Sequence, residues 1–162
     1  IVNSLLNLAR PSEGDAALVD VNVIVSDVLS LLEHQFRNGR IQVRKELSPS
    51  GLFVKGVEYK LQQVFLNLLL NARDAMPRGG WLTLVTRVDA RGAVVEVSDT
   101  GTGIPTEHLA RIYDPFFTTK SDGHGTGLGL SIALDVVRAH GGDIALEDSP
   151  LGGLRVRVTV PT

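Results

Sequence analysis

The sequence predicts an α+β protein of two layers, in which helices cover one face of a mixed, mainly antiparallel sheet. Three segments of more than ten residues repeat apolar side chains at helical spacing, and six shorter segments have the composition or alternation of strands. These helical and strand segments do not alternate one for one along the 162 residues. That order disfavours a purely parallel sheet with crossover helices and predicts a two-layer α+β sandwich.

The first two predicted helices have boundaries that follow from their flanking residues. A helix over 22–36 is expected, with Asn22 as its N-cap and Gly39 as its end. The segment 58–75 has the strongest helical pattern, since its apolar residues share one face. The sequence Met-Pro-Arg-Gly-Gly at 76–80 then interrupts it.

A third helix, a glycine-rich segment and a short helical segment at the beginning of the chain complete the prediction. A third helix is expected over 128–140, where two glycines follow His140. The segment between 100 and 127 is polar and rich in glycine, with room for a short helix. Residues 1–10 also have helical spacing, and 11–15 have the composition of a linker.

Six segments are predicted to be strands. Two of them flank the short sequence Asp-Ala-Arg-Gly and are expected to form a hairpin. The predicted strands lie at 40–46, 52–55, 81–88, 93–99, 143–147 and 154–160.

Composition excludes several classes of function. Hydrophobic residues make up 43% of the chain and charged residues 21%, as in a globular domain, and the net charge of −2 disfavours non-specific binding to nucleic acid. The chain has no cysteine, and no apolar run is long enough to span a bilayer. We expect a cytoplasmic location and no nucleic-acid partner. Because the chain begins without methionine, we also expect it to be part of a longer protein, which could itself be membrane-anchored.

The run Gly-His-Gly-Thr-Gly-Leu-Gly-Leu at 123–130 is the strongest indication of a ligand site. Alternate glycines let backbone amides approach an anion, and the helix that follows adds the positive end of its dipole. The run matches neither the P-loop pattern nor the Rossmann pattern. A flexible linker is the alternative, but linkers rarely continue directly into an amphipathic helix.

The helix at 58–75 also has a polar stripe. Lys60, Gln63, Asn67, Asn71 and Asp74 lie three or four residues apart and therefore share a face. Asparagine forms helices poorly and is costly to bury unpaired, so two of them one turn apart suggest ligands for a hard cation or for phosphates. A solvated face or a buried polar network remains the alternative.

Asp99 ends a predicted strand and begins the sequence Asp-Thr-Gly-Thr-Gly. By the period of two it shares a face with Val95 and Val97, so its carboxylate should point inward, where an adenine amine could be its donor. Gly101 and Gly103 would let a planar base approach the backbone. A solvated turn is one alternative, and half of an aspartic protease dimer is another.

The sequence Ile-Tyr-Asp-Pro-Phe-Phe-Thr-Thr-Lys at 112–120 separates the two glycine-rich segments. Lys120 is a candidate phosphate contact immediately before the glycine run. Phe116 and Phe117 are interpreted as apolar anchors of a mobile lid over a nucleotide.

Four of these motifs together resemble the ATP-binding catalytic domain of bacterial sensor histidine kinases (HATPase_c, GHKL). NLLLNA at 67–72 resembles the N box of that family, DTGTG at 99–103 the G1 box, PFFTTK at 115–120 the F box, and GTGLGL at 125–130 the G2 box. Their order and spacing also match. The wording NARDAMP and PFFTTK is most similar to the nitrogen-regulation type.

The resemblance implies the Bergerat fold, binding of ATP and Mg²⁺, and roles for individual residues. It assigns Asn71, with Asn67 beside it, to Mg²⁺ and phosphates, Asp99 to adenine, and 100–127 to a lid. Asn71 is the implied metal ligand, and Asn67 is the candidate for a catalytic role. The implied nucleotide-binding residues are Asn67, Asn71, Asp74, Asp99, Gly101, Gly103, Ile104, Lys120, Gly125, Thr126, Gly127, Leu128 and Gly129.

The sequence departs from a complete histidine kinase in one respect. The four histidines are His34, His108, His124 and His140, and none has the acid and proline that follow a phosphoacceptor histidine in the family. His34 is interpreted as a helix-surface residue.

The resemblance also implies a division of the chain and a set of partners. Residues 1–12 resemble the end of a dimerisation-domain helix with its linker, and 13–162 the catalytic domain. The implied partners are the protein's own dimerisation and phosphoacceptor domain and a response-regulator receiver domain. A homodimeric full-length protein is expected, with this chain alone as a monomer.

The implied function is supply of the γ-phosphoryl group for histidine autophosphorylation in two-component signal transduction. An ATP-hydrolysing clamp similar to Hsp90 or MutL is the first alternative, although those proteins have glutamate where this chain has Asn67. A nucleotide-binding regulator without catalysis is the second.

Overall fold

The computed structural model describes residues 16–101, 129–149 and 152–162. Helices and strands in these ranges follow one another in an order that does not alternate regularly. In chain order they are β1 (Ala17–Asp20), α1 (Val21–Asn38), β2 (Ile41–Glu46), β3 (Phe53–Gly56), α2 (Glu58–Asp74), β4 (Gly80–Asp89), β5 (Gly92–Asp99), α3 (Gly129–Ala139), β6 (Asp143–Asp148) and β7 (Leu154–Val160).

The strands form a five-stranded sheet and a separate two-stranded sheet. The order in the larger sheet is β2-β4-β5-β7-β6, and β1 pairs with β3 in the smaller one. Among the described strands of the larger sheet, the β2–β4 pair alone is parallel, while β4–β5, β5–β7 and β6–β7 are antiparallel. The predicted mixed, mainly antiparallel sheet is therefore confirmed, as is the hairpin of β4 and β5.

The helices bury their apolar stripes against one face of the larger sheet. On α2 the residues Leu61, Val64, Phe65, Leu68 and Leu69 are almost completely buried. They share one core with residues of β4, β5, α1 and α3. Alternate residues of the central strands, such as Leu82 and Leu84 on β4, lie in this core, in keeping with the two-layer arrangement.

The opposite face of the sheet is covered by ion pairs. The Glu96 carboxylate accepts a hydrogen bond of 2.9 Å from Arg157 Nε, and Arg87 lies 3.5 Å from the same oxygen. Glu147 on β6 is paired with both Arg155 and Arg157. Charged side chains on β4, β5, β6 and β7 thus cross the strands on the face opposite the described helices.

The beginning of α1 differs from the prediction. The N-cap is Asp20, whose side chain accepts a hydrogen bond of 3.0 Å from the Asn22 amide, so the assignment of the N-cap to Asn22 was wrong. The Asn22 side chain instead donates to the Ser48 carbonyl and accepts from the Thr86 hydroxyl. Gly39 ends α1 as predicted.

Some predictions concern residues that the structure does not describe. They are the helix at 1–10, the linker at 11–15 and the short helix between 100 and 127, except that 100 and 101 are described. Among the described helices, none is both long enough and apolar enough to cross a membrane.

Candidate functional site

The candidate site lies where the ends of α2 and β5 meet the beginning of β7. The Thr100 hydroxyl, just after β5, accepts a hydrogen bond of 3.1 Å from the Trp81 amide and lies 3.7 Å from the Met76 sulfur. The Leu154 amide, at the first residue of β7, donates to Asp99. Residues distant in the sequence therefore converge around the last residue of β5.

Asp99 is the buried acid of this site. It follows Val95 and Val97 on one face of β5, and only 3% of its surface is exposed, so the predicted inward orientation is confirmed. Its Oδ1 atom accepts hydrogen bonds of 2.8 Å from the Gly101 amide and 3.2 Å from the Leu154 amide. To the residues that the structure describes, Oδ2 makes no hydrogen bond.

Burial sets the protonation behaviour of Asp99. Desolvation raises the pKa of the Asp99 carboxyl above its usual value, and the two backbone N–H groups offset this only in part. In its ionised form a carboxylate can only accept hydrogen bonds. It can therefore receive a hydrogen bond from an amine of a bound ligand.

Two glycines permit the close packing around Asp99. A Cβ at Gly101 would lie 2.4 Å from the Ala75 carbonyl oxygen, immediately after α2. A Cβ at Gly153 would lie 2.2 Å from Asp99 Oδ1. The predicted contact of Gly101 with a base stays a prediction, and Gly153 was not among the predicted site residues.

The polar stripe of α2 lies beside this core. Asn67 and Asn71 are both partly buried and lie one helical turn apart. Among the described residues Asn67 has no side-chain hydrogen bond, whereas Asn71 has a partner. Of the others, Gln63 is partly buried and Lys60 is exposed.

Asp74 ends the stripe as an ion-paired acid. Its Oδ1 atom accepts hydrogen bonds of 3.1 Å from Arg73 Nε and 3.0 Å from Arg73 Nη2. Arg73 also donates to Gln35 on α1. The negative charge of Asp74 is therefore partly neutralised by its neighbour in the sequence.

The glycine run leads into a helix, as predicted. Gly129 is the first residue of α3, and the first turn of α3 contains no acidic residue to oppose an anion. The remaining predicted contacts lie outside the described residues: Gly103, Ile104, Lys120, Gly125, Thr126, Gly127 and Leu128.

The two described histidines, His34 and His140, both contact neighbouring protein groups. His34 is exposed on α1, and its Nε2 atom lies 3.1 Å from the side-chain nitrogen Nδ2 of Asn38. This confirms the prediction that His34 is a helix-surface residue. His140 joins α3 to the start of α2, because its Nε2 accepts from the Val57 amide at 3.0 Å and its Nδ1 lies 2.7 Å from the Val136 carbonyl.

Comparison with known proteins identifies relatives of this chain. Residues 56–162 match the family model described as histidine kinase-, DNA gyrase B-, and HSP90-like ATPase. Sporulation kinase C of Bacillus subtilis (strain 168) is 35% identical over 162 residues, covering 99% of this chain and 37% of that protein. Sensor histidine kinase ZraS of Klebsiella oxytoca is 36% identical over 151 residues, covering 93% and 32%. The chain thus spans about a third of these relatives.

Solved structures agree in fold. The nucleotide-free catalytic domain of histidine kinase ThkA superposes with a TM-score of 0.83 at 30% identity, covering 91% of this chain and 95% of that one. Full-length ShkA in complex with AMPPNP gives a TM-score of 0.80 at 27% identity, covering 99% of this chain and 35% of that one. These matches leave no support for the aspartic protease alternative. The predicted family and Bergerat fold are confirmed: the chain belongs to the histidine kinase-, DNA gyrase B- and HSP90-like ATPases, and is an ATP-binding catalytic domain of the histidine kinase kind.

Proposed function

We propose that this chain binds Mg·ATP and supplies the γ-phosphoryl group to a histidine outside it, as part of two-component signal transduction. The observation that carries the proposal is the buried Asp99, whose Oδ1 is held by two amides while Oδ2 is left without a partner among the described residues. Such an acid is costly to bury unless a ligand donates to it. The exocyclic amine of adenine is a donor of the required kind.

The two asparagines of α2 support a metal and phosphate site. Carboxamide oxygens suit Mg²⁺, which keeps several waters and takes few protein ligands, so the residues present fit the ion. In this proposal Asn71 would hold the ion, and Asn67 beside it would contact the phosphates. Bound Mg²⁺ would neutralise phosphate charge during the transfer.

The residue at position 67 favours phosphoryl transfer to a histidine over hydrolysis. A hydrolytic clamp needs a general base for water, and the amide of Asn67 cannot accept that proton. Transfer to histidine instead needs mainly positioning and charge neutralisation, because a neutral imidazole nitrogen is already a nucleophile. We do not propose His34 or His140 as the acceptor. The His34 ring contacts Asn38 on the same helix, and the His140 ring accepts a hydrogen bond from the Val57 amide.

Several further features belong to the same proposal. Residues 1–12 are the end of a dimerisation-domain helix with its linker, and 13–162 form the catalytic domain. The partners are the phosphoacceptor domain of a homodimeric full-length protein and a receiver domain of a response regulator, both in the cytoplasm. The protein is of the nitrogen-regulation type, for which the sequence NARDAMP at 71–77 is the support.

The test is incubation with γ-labelled ATP and Mg²⁺, with and without an added dimerisation domain. We expect no acid-labile phosphohistidine and little phosphate release from this chain alone, and phosphohistidine once the domain is supplied in cis or in trans. Rapid steady-state phosphate release by the chain alone, lost in Asn67→Ala, would contradict the kinase function and favour the hydrolytic clamp.

A further inference from the structure

The backbone immediately before β7 packs directly against Asp99 and leaves no room for a side chain. A Cβ at Gly153 would lie 2.2 Å from Asp99 Oδ1, 2.4 Å from the Asp99 carbonyl oxygen and 2.6 Å from the Gly101 amide nitrogen. All three distances are shorter than any side-chain carbon tolerates, and two of the three neighbours are backbone atoms. Any residue other than glycine at 153 must therefore displace either the carboxylate or the strand.

The same approach brings an amide to the carboxylate. Leu154 donates to Asp99 Oδ1 at 3.2 Å across 55 positions of sequence, and Gly101 donates to the same oxygen at 2.8 Å. Two donors on one oxygen fix the rotation of the carboxylate group. Oδ2 is then the oxygen whose acceptor capacity is not used by these amides.

The turn before β7 is itself held in place. The Ser149 amide donates to the Gly153 carbonyl at 2.8 Å, and the Gly152 amide donates to the Ser149 carbonyl at 3.0 Å. Ser149 is buried, as is Gly153. The hydrogen bond to the Gly153 carbonyl and the pairing of Leu154 with Asp148 thus set the position of the Leu154 amide.

We propose that Gly153 and the Leu154 amide are positioning groups that orient the Asp99 carboxylate and so set the preference for a purine with a 6-amino group. This inference rests on the proposed function, because it assumes that Asp99 receives the adenine amine. It adds that selectivity for the base depends on β7, a strand outside all four motifs that indicate nucleotide binding.

The variant that tests the proposal is Gly153→Ala, with Gly141→Ala as its matched control. Gly141 follows α3 and has a φ of +82°, and a methyl group there would have the Pro161 side chain, at 3.5 Å, as its nearest described neighbour. Its variant is therefore strained but lies outside the turn that precedes β7. Affinities for Mg·ATP and for the purine riboside triphosphate that lacks the 6-amino group are measured by titration calorimetry. The ratio of the two affinities reports base recognition and is not affected by a partly inactive sample.

We expect the original chain and Gly141→Ala to prefer ATP by about tenfold or more, since the analogue lacks the donor of a hydrogen bond to a charged group. In Gly153→Ala the preference should fall to about twofold or less. A preference in Gly153→Ala equal to that of Gly141→Ala overturns the positioning role while leaving the proposed function intact. Absence of any binding by the original chain overturns the proposed function itself.

A measurement on the unaltered chain keeps the proposal testable if Gly153→Ala does not fold. The amide proton resonances of Gly101 and Leu154 are followed by NMR as the pH is lowered. If both amides donate to Asp99, both resonances should shift together with a single midpoint, and neither shift should occur in Asp99→Asn. A Leu154 resonance that does not follow the Gly101 resonance overturns the proposal.

Discussion

Replacement of Asp99 by asparagine should weaken the binding of Mg·ATP without lowering the stability of the nucleotide-free protein. In Asp99→Asn the side-chain oxygen can still accept from the Gly101 and Leu154 amides, while an NH₂ group replaces Oδ2. The fold should therefore keep its local hydrogen bonds. The acceptor for a bound amine, however, becomes a donor.

The expected loss of affinity follows from that exchange. A hydrogen bond to a charged group contributes about 1.5–3 kcal/mol, so Mg·ATP should bind roughly 10- to 150-fold more weakly. The stability of the nucleotide-free protein should remain the same or increase. Burial raises the pKa of Asp99, so the ionised form is the costly one near neutral pH, and asparagine carries no charge.

The assay combines calorimetry with urea unfolding at pH 7 in the absence of nucleotide. Asp27→Asn is the control, since Asp27 is an exposed acid on α1 far along the chain from the site. Unchanged affinity in Asp99→Asn would remove adenine recognition from Asp99. Weaker binding together with a clearly lower free energy of unfolding would show that the carboxylate supports the fold instead.

Three other predictions concern separate parts of the molecule. Asn71→Ala should abolish the increase in ATP affinity that Mg²⁺ produces while leaving metal-free ADP binding largely unchanged, as calorimetry with and without Mg²⁺ would show. Burial alone would raise the pKa of Glu96, but the Arg157 hydrogen bond and the nearby arginine charges bring it below the usual value. Its contribution to stability is therefore present above the unfolded-state pKa of about 4.3 and is lost as the pH falls through the lower folded-state pKa, so Glu96→Gln should reduce the acid sensitivity of urea unfolding. Arg40 has a φ of 60°, and Arg40→Gly should raise the free energy of unfolding by up to about 1 kcal/mol in the same assay.

The parts of the fold that depend on local pattern were predictable. The apolar face of α2 and the break at 76–80 specify a helix and its end from residues within a few turns of one another. The inward orientation of Asp99 follows from the alternation along β5 alone. In each case the information lies in the same segment as the structure it predicts.

The parts that depend on distant partners were not predictable. Strand β1 has only four residues, none of them fully buried, and it exists because it pairs with β3 more than thirty positions later. The Asp20 cap was missed for a similar reason, since its carboxylate also accepts from the Leu52 amide. Local propensity favours Asn22 and Asp20 almost equally, so the tertiary contact decides between them.

The candidate site shows the same division between local and distant information. The sequence indicated which side chain would meet the ligand, because Asp99 stands in a motif with glycines around it. It did not indicate how that side chain is held, because the Leu154 amide comes from a strand more than fifty positions later and has no side-chain signature. A backbone donor can be supplied by almost any residue, and only the glycine beside it, Gly153, records the close approach in the sequence. A pair of glycines before a final strand is therefore a reasonable place to look for a second contact to a buried acid, once the acid itself has been found.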